Sequence, residues 1–178
     1  MDMEEKKIDG EVIFDGHVVK LHLDKVKCPN GNIASREIVV HNGGAAILYV
    51  NDNDEVLLER QYRYAYNEVI YEIPAGKLEK GENPKLAAIR ELEEETGLKV
   101  NDLIHLGDVY PTCGYSSEII HIYLAENPTK THTNFDEDEV IDVCYIKLDK
   151  VKEMILSGEI KDAKTICAIN YYLLRKKS

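Results

Sequence analysis

Stretches of alternating or clustered apolar residues recur along the chain, separated by short polar breaks. Near the N-terminus Glu11 to Phe14, His17 to Val26 and Ser35 to His41 have strand-like spacing, and Pro29-Asn30-Gly31-Asn32 supplies a turn between the second and third. These segments predict a small antiparallel sheet. Ala45 to Val50 and Glu55 to Gln61, joined by Asn51-Asp52-Asn53-Asp54, predict a second hairpin, and Val69 to Ile73 a further strand. The period then changes. Leu86, Ile89, Leu92 and Thr96 recur three or four apart, which predicts a helix of about 14 residues with these side chains as its buried stripe. Asn83 before Pro84 suits its start and Gly97 its end. Leu103 to Val109, Ile119 to Leu124 and Val140 to Ile146 read as strands. Two helices close the chain: Leu148 to Leu156, stopped by Ser157-Gly158, and a longer one capped by Asp162 with Ile166, Ile169 and Leu173 on one face. The pattern predicts an α/β protein with a mixed β-sheet sandwiched between α-helices.

With 178 residues, 44% of them hydrophobic, the chain can bury one good core and a small appended lobe. The N-terminal β lobe, residues 1–41, is too small to bury a core unaided, so it must dock either on residues 42–178 or on a second copy. No apolar run reaches membrane-spanning length and MDMEEKKIDG lacks a signal-peptide pattern. Cys28, Cys113, Cys144 and Cys167 are scattered without a C-x-x-C pair, as expected of reduced thiols in a cytoplasmic protein. A net charge of −11, with no basic run before Arg175-Lys176-Lys177, disfavours nucleic acid as a partner. A small diphosphate accompanied by a cation remains acceptable.

On a helical wheel Glu91, Glu94 and Glu95 fall together, opposite the apolar stripe. Such like charges each cost a few tenths of a kcal/mol unless a cation sits among them, and hard divalent ions prefer carboxylate ligation. A solvated acidic face is the plain alternative. The surrounding residues decide between the two. Gly76, Glu82, Arg90, Glu91, Leu92, Glu94, Glu95, Gly97 and Leu98 fill every specified place of G-x5-E-x7-R-E-U-x-E-E-x-G-U, with U aliphatic. A chance match of the seven invariant places is about one in a million. The chain therefore resembles the Nudix hydrolases, and the resemblance implies the Nudix fold and hydrolysis of a nucleoside diphosphate linked to another moiety.

Beyond the box, Ser35-Arg36-Glu37, Glu59-Arg60-Gln61-Tyr62-Arg63, Glu72-Ile73-Pro74-Ala75-Gly76, Gly114 to Glu118 and Asp162-Ala163-Lys164-Thr165 are similar to the ADP-ribose pyrophosphatase branch. That likeness implies that Arg36 and Arg63 meet the adenosine diphosphate, since an arginine fork suits phosphate oxygens. It makes Glu37 and Glu118 acceptors for amino or hydroxyl groups, with the loop at Gly114 alongside. His17 and Val18 match the place that packs the adenine, with no choice between them, and Lys77 either reaches a phosphate or is solvated. The branch carries a proline before Gly114, where this chain has Cys113, with Pro111 two residues earlier; this bears on the distal sugar more than on the reaction.

The resemblance further implies two or three magnesium ions, with manganese as an alternative, held by the Ala75 carbonyl, Glu91, Glu95 and Glu139. Glu94 is a further ligand or a supporting acceptor, Glu82 orients the helix, and Arg90 braces it. In the acidic run Asp136-Glu137-Asp138-Glu139, Glu137 matches the base that deprotonates the attacking water, and a neighbouring acid is the alternative. The expected reaction converts ADP-ribose to AMP and ribose 5-phosphate, in a homodimer that exchanges its N-terminal lobes. Rival expectations are another nucleoside diphosphate sugar or a dinucleotide as substrate, or a non-catalytic ADP-ribose sensor.

Overall fold

A computed structural model describes residues 2–134 and 140–176. Along the chain run β1 (Lys6–Asp15), β2 (Lys20–Lys27), β3 (Ile33–Val40), β4 (Gly44–Tyr49), β5 (Glu55–Arg63), β6 (Glu68–Glu72), β7 (Ala75–Lys77), α1 (Pro84–Thr96), β8 (Leu98–Lys99), β9 (Ile104–Val109), β10 (Ile120–Ala125), β11 (Thr129–Lys130), β12 (Ile141–Lys147), α2 (Leu148–Ser157) and α3 (Ala163–Lys176). They divide into two units, Met1–Gly43 with Tyr110–Ile119, and Gly44–Val109 with Ile120–Ser178. Among the described residues no helix is long and apolar enough to cross a membrane. All four cysteines are free.

In the first unit β1, β2 and β3 form an antiparallel sheet in that order. The first strand starts earlier than its apolar pattern suggested and the second starts later, at Lys20. The Gly16 N–H donates to the Val19 carbonyl at 3.0 Å, closing a hairpin tip that takes His17 and Val18 out of the strand. Tyr110–Ile119 extends the sheet at β3: the Val39 N–H donates to the Tyr115 carbonyl at 2.8 Å and the Ser117 N–H to the Val39 carbonyl at 2.9 Å. Every residue of β1 is exposed, and Val26 is the one buried apolar side chain among the unit's described residues.

The second unit is built on the sheet β7-β4-β10-β9. Its central pair, β4 and β10, is parallel, whereas β7 and β9 run antiparallel to their neighbours. Side chains of a strand alternate between faces. Ala45 and Ile47 accordingly pack with Ala87, Ala88 and Leu92 of α1, while Ala46 and Leu48 pack with Val151 and Met154 of α2 and Ala168 and Ile169 of α3. The expected sheet between helices is present. A second sheet, β12-β5-β6, adds Leu57 to one cluster and Val56 and Leu58 to the other.

The Asn83 side chain accepts from the Lys85 and Leu86 N–H groups at 3.0 and 3.3 Å, and Gly97 ends α1 in the left-handed conformation at φ 65°. The buried stripe of α1 differs from the periodicity. Leu86 is 65% exposed, while Ala87, Ala88, Leu92 and Glu95 are buried. Small alanines let the helix lie close to β4, and that rotation carries Glu95 inward with them.

α3 is tied to the end of β6 by polar contacts. Asp162 Oδ2 accepts from the Thr165 N–H at 2.9 Å and from its hydroxyl at 2.6 Å, and Thr165 Oγ1 accepts from the Ile73 N–H at 2.8 Å. Glu72, 2% exposed, bonds to Lys164 Nζ on one side and the Arg63 guanidinium on the other. Burial alone would raise the Glu72 pKa, but hydrogen bonds and charge from Arg63 and Lys164 bring it below the ordinary carboxylate range. Its folded value is thus lower than its unfolded one, so its contribution is complete above the unfolded value and is lost as pH falls through the folded one. Glu72→Gln leaves Lys164 buried beside a neutral amide and should cost about 3–5 kcal/mol of unfolding free energy at neutral pH. Urea denaturation of both proteins measures this, and the gap should narrow in acid.

Candidate active site

β7 places its backbone against the acidic helix. Ala75 and Gly76 pair with Ala46 and Ala45 of β4, and the preceding Pro74 carbonyl accepts from the Ile47 N–H at 2.9 Å. The Ala75 N–H turns the other way and donates to Glu95 Oε2 at 3.1 Å. A Cβ on Gly76 would lie 1.9 Å from the Glu91 carboxylate, so a residue without a side chain is required for this approach. Ala75, Gly76, Glu91 and Glu95 are thereby brought together. Glu95 is 5% exposed, and the side chains of Glu91 and Glu94 are 15% and 36% exposed. The acidic cluster is graded from the interior outward, in place of the evenly solvated face a wheel suggests.

One guanidinium serves three carboxylates. Arg90 Nη1 lies 2.9 Å from Glu91 Oε1 and 2.8 Å from Glu94 Oε2, and Nη2 lies 3.4 Å from Glu82 Oε1. Burial would lower the Arg90 pKa, yet the charges of Glu91, Glu94 and Glu82 raise it well above its ordinary value. Glu82 also accepts from the Glu79 N–H at 2.8 Å, which fixes the turn leading into α1. Glu93 points elsewhere and pairs with Lys99 at 3.1 Å. Four carboxylates with a single arginine leave an excess of negative charge, and oxygen donors from side chains beside a backbone turn are the ligand set of a hard divalent cation. The residues fit such an ion.

Arg63 comes to this region from β5. Its Nε and Nη2 donate to Glu72 Oε1 and Oε2 at 2.7 and 2.8 Å, so this edge of the fork is engaged within the protein. Burial lowers the Arg63 pKa, and Glu72, then Asp162 and Glu95, raise it above the ordinary value, which couples it to the acidic cluster. Lys77 is exposed at the end of β7. The sequence pattern assigned no task to Glu72, Lys164 or Thr165, although their matches to the pyrophosphatase branch were the available signal.

The other substrate-side candidates belong to the first unit. His17 and Val18 lie at its hairpin tip, and Arg36 and Glu37 are adjacent on β3. Adjacent strand residues point to opposite faces, so the sheet separates Arg36 from Glu37. Glu5 holds the Arg36 fork through Nε at 2.9 Å and through Nη2. Gly114 is exposed in the Tyr110–Ile119 segment and Glu118 is partly buried there, its Oε1 3.5 Å from His41 Nδ1. That nitrogen accepts from the Gly43 N–H at 3.0 Å, which makes the contact with Glu118 a polar neighbour more than an ion pair. Glu137 and Glu139 lie outside the described residues. Just before them, Asn134 donates its N–H to the Glu94 carbonyl at 2.8 Å, and Thr131 to the Gly97 carbonyl at 2.7 Å, so the chain is anchored to the end of α1.

Comparison with known proteins agrees with this geometry. The NUDIX domain model matches residues 40–169. An ADP-ribose pyrophosphatase of Bacillus subtilis (strain 168) is 42% identical over 176 residues, spanning 98% of this chain and 95% of the relative. A methanol dehydrogenase activator of Bacillus methanolicus is also 42% identical, over 97% of this chain and 95% of its own. A crystal structure of an ADP compounds hydrolase shares the fold with a TM-score of 0.87 at 20% identity, covering 99% of this chain and 97% of that one. With the box residues assembled around the β7 turn and the domain model spanning most of the sequence, the chain belongs to the Nudix family.

Proposed function

We propose that the protein hydrolyses the diphosphate of ADP-ribose, releasing AMP and ribose 5-phosphate, with magnesium as its metal. The observation that carries this reading is the convergence of the Ala75–Gly76 turn with Glu91 and Glu95 beside Arg63. The near-full-length likeness to an ADP-ribose pyrophosphatase supports the choice of substrate. The Ala75 carbonyl, Glu91 and Glu95 are the residues that would hold divalent ions, two or three in number with Glu139 as an added ligand. Magnesium bound there supplies neutralisation of the diphosphate charge and a more acidic water.

The chain's own groups do the rest. Arg90 keeps Glu91, Glu94 and Glu82 in register, and Glu82 holds the turn that leads into α1. Glu94 either joins the ligands or accepts from water near them. Arg63, steadied by Glu72, has its remaining guanidinium N–H groups for a phosphate oxygen. Glu137 takes the proton from the attacking water, and the anchoring of the chain at Asn134, three residues before it, supports that role. Arg36, Glu37, His17 or Val18, Gly114 and Glu118 bind the nucleoside end, with Lys77 a further phosphate contact.

The first unit also supports a homodimer that exchanges its N-terminal lobes. Ile8, Val12, Ile13 and Phe14 of β1 are each more than half exposed, an apolar surface that a second copy would cover. Residues 1–41 would then be the dimerisation lobe and 42–178 the catalytic domain.

Products from ADP-ribose, ADP-glucose, GDP-mannose and a nucleoside triphosphate, each with magnesium and with chelator, test the function. AMP and ribose 5-phosphate should dominate and should vanish with chelator; preference for another substrate would overturn the assignment. Glu95→Gln keeps an acceptor for the Ala75 N–H but loses the charge, and should lower kcat about 10³-fold or more with an unchanged melting temperature. Glu137→Gln should lower kcat about 10²–10⁴-fold with metal binding retained by calorimetry. Sedimentation at micromolar concentration should give twice the 20.3 kDa chain mass, and Phe14→Glu should shift it towards monomer.

A further inference from the structure

Two histidines and an aspartate outside the acidic helix converge on one point. Asp108 Oδ1 on β9 lies 2.7 Å from His105 Nε2 and 2.8 Å from His121 Nδ1 of β10, and the three ligand atoms all lie within 4.8 Å of one another. In a regular strand, residues 105 and 108 would project from opposite faces. The register of β9 against β10 slips instead: His121 faces Asp108, Ile122 faces Gly107, and Tyr123 faces His105. The extra residue is Leu106, and this bulge brings His105 and Asp108 to the face of His121 and Tyr123. The His105 ring lies 5.3 Å from that of Tyr123, in accord with this turn. The bulge is fixed from behind, because a Cβ on Gly107 would sit 2.7 Å from Tyr171 Cζ of α3.

The cluster itself opens to solvent, with side-chain exposures of 51% for His105, 43% for Asp108 and 22% for His121. Among the described residues, Asp108 pairs with these two imidazoles and with no lysine or arginine. Two imidazole nitrogens and one carboxylate oxygen, with room for water, suit a borderline divalent ion such as Zn²⁺ or Co²⁺, whereas the all-oxygen set on α1 suits a hard one. Tetrahedral bonds of about 2.0–2.2 Å set ligand atoms about 3.3–3.6 Å apart, so both contacts need to open by about 0.5–0.9 Å. Rotation of the exposed His105 and Asp108 side chains supplies that.

We propose that His105, Asp108 and His121 form a binding site for one zinc-class ion, separate from the acidic site, which fastens the edge strand β9 to β10. The test uses the full-length, tag-free chain. Zn²⁺ calorimetry and Co²⁺ absorption on the Glu91→Gln/Glu95→Gln variant, in which the acidic site is weakened, should show one equivalent bound with nitrogen ligation. Adding His121→Asn or Asp108→Asn should weaken this binding about tenfold or more. In the otherwise unmutated protein, the same two substitutions should leave magnesium-dependent hydrolysis intact, reporting a folded chain. NMR of the unmutated protein gives a second reading: stoichiometric Zn²⁺ should move the His105 and His121 imidazole signals ahead of the other histidines. Unmoved signals, or equal Zn²⁺ affinity with and without His121→Asn, would overturn the site and leave a hydrogen-bonded triad.

Discussion

Repulsion among carboxylates is the constraint around which the second unit is arranged. Glu91, Glu94 and Glu95 share a little over one turn of α1, and Glu82 joins them from the preceding loop. Exposed to water, such neighbours would cost little, but Glu95 is almost fully buried, where uncompensated charge is far more expensive. The Ala75 N–H donates to Glu95, and Arg90 compensates its neighbours Glu91, Glu94 and Glu82. The first depends on the β7 backbone lying close to α1, where Gly76 has no side chain to displace that of Glu91.

The position of β7 rests on a second polar group behind it. Glu72, Lys164, Arg63 and the Thr165–Ile73 hydrogen bond join α3 to the segment entering the turn, across more than ninety residues of sequence. A buried ion pair of this kind need not add net stability over a hydrophobic replacement. What it adds is direction, because a bidentate arginine and a lysine around one carboxylate fix that strand end more narrowly than apolar packing does. Arg63 carries this scaffold from β5 to Glu72 at the end of β6, which two residues separate from β7.

Local chemistry in the sequence announced much of this. Asn83-Pro84 and Gly97 marked the limits of α1 because capping depends on the residues at the ends alone. The apolar run Ala45 to Val50 likewise marked a strand, but its expected hairpin partner β5 belongs to the other sheet, because β4 pairs with β7 and β10 instead. Features decided by distant partners were hidden. β7, β8 and β11 are two or three residues long and exist through pairing, and the rotation of α1 that buries Glu95 and exposes Leu86 is set by the sheet beneath it. The grouping of Tyr110–Ile119 with the N-terminal strands follows from two hydrogen bonds to Val39. The bulge that gathers His105, Asp108 and His121 is likewise a matter of register, which spacing along one strand does not encode.

The parallel pairing of β4 with β10 has a consequence for how the protein is made. Gly44 lies opposite Ile120, so the central pair of the sheet cannot close until most of the chain has left the ribosome. The acidic helix is synthesised well before the strand that completes its platform. During that interval Ile47 and Leu48, wholly buried in the finished protein, border an open strand edge, the situation in which nascent chains associate wrongly. Non-local closure of this kind is also slow. The net charge of −11 then has a use apart from chemistry, since mutual repulsion between incomplete chains lengthens the time available for each to find its own β10.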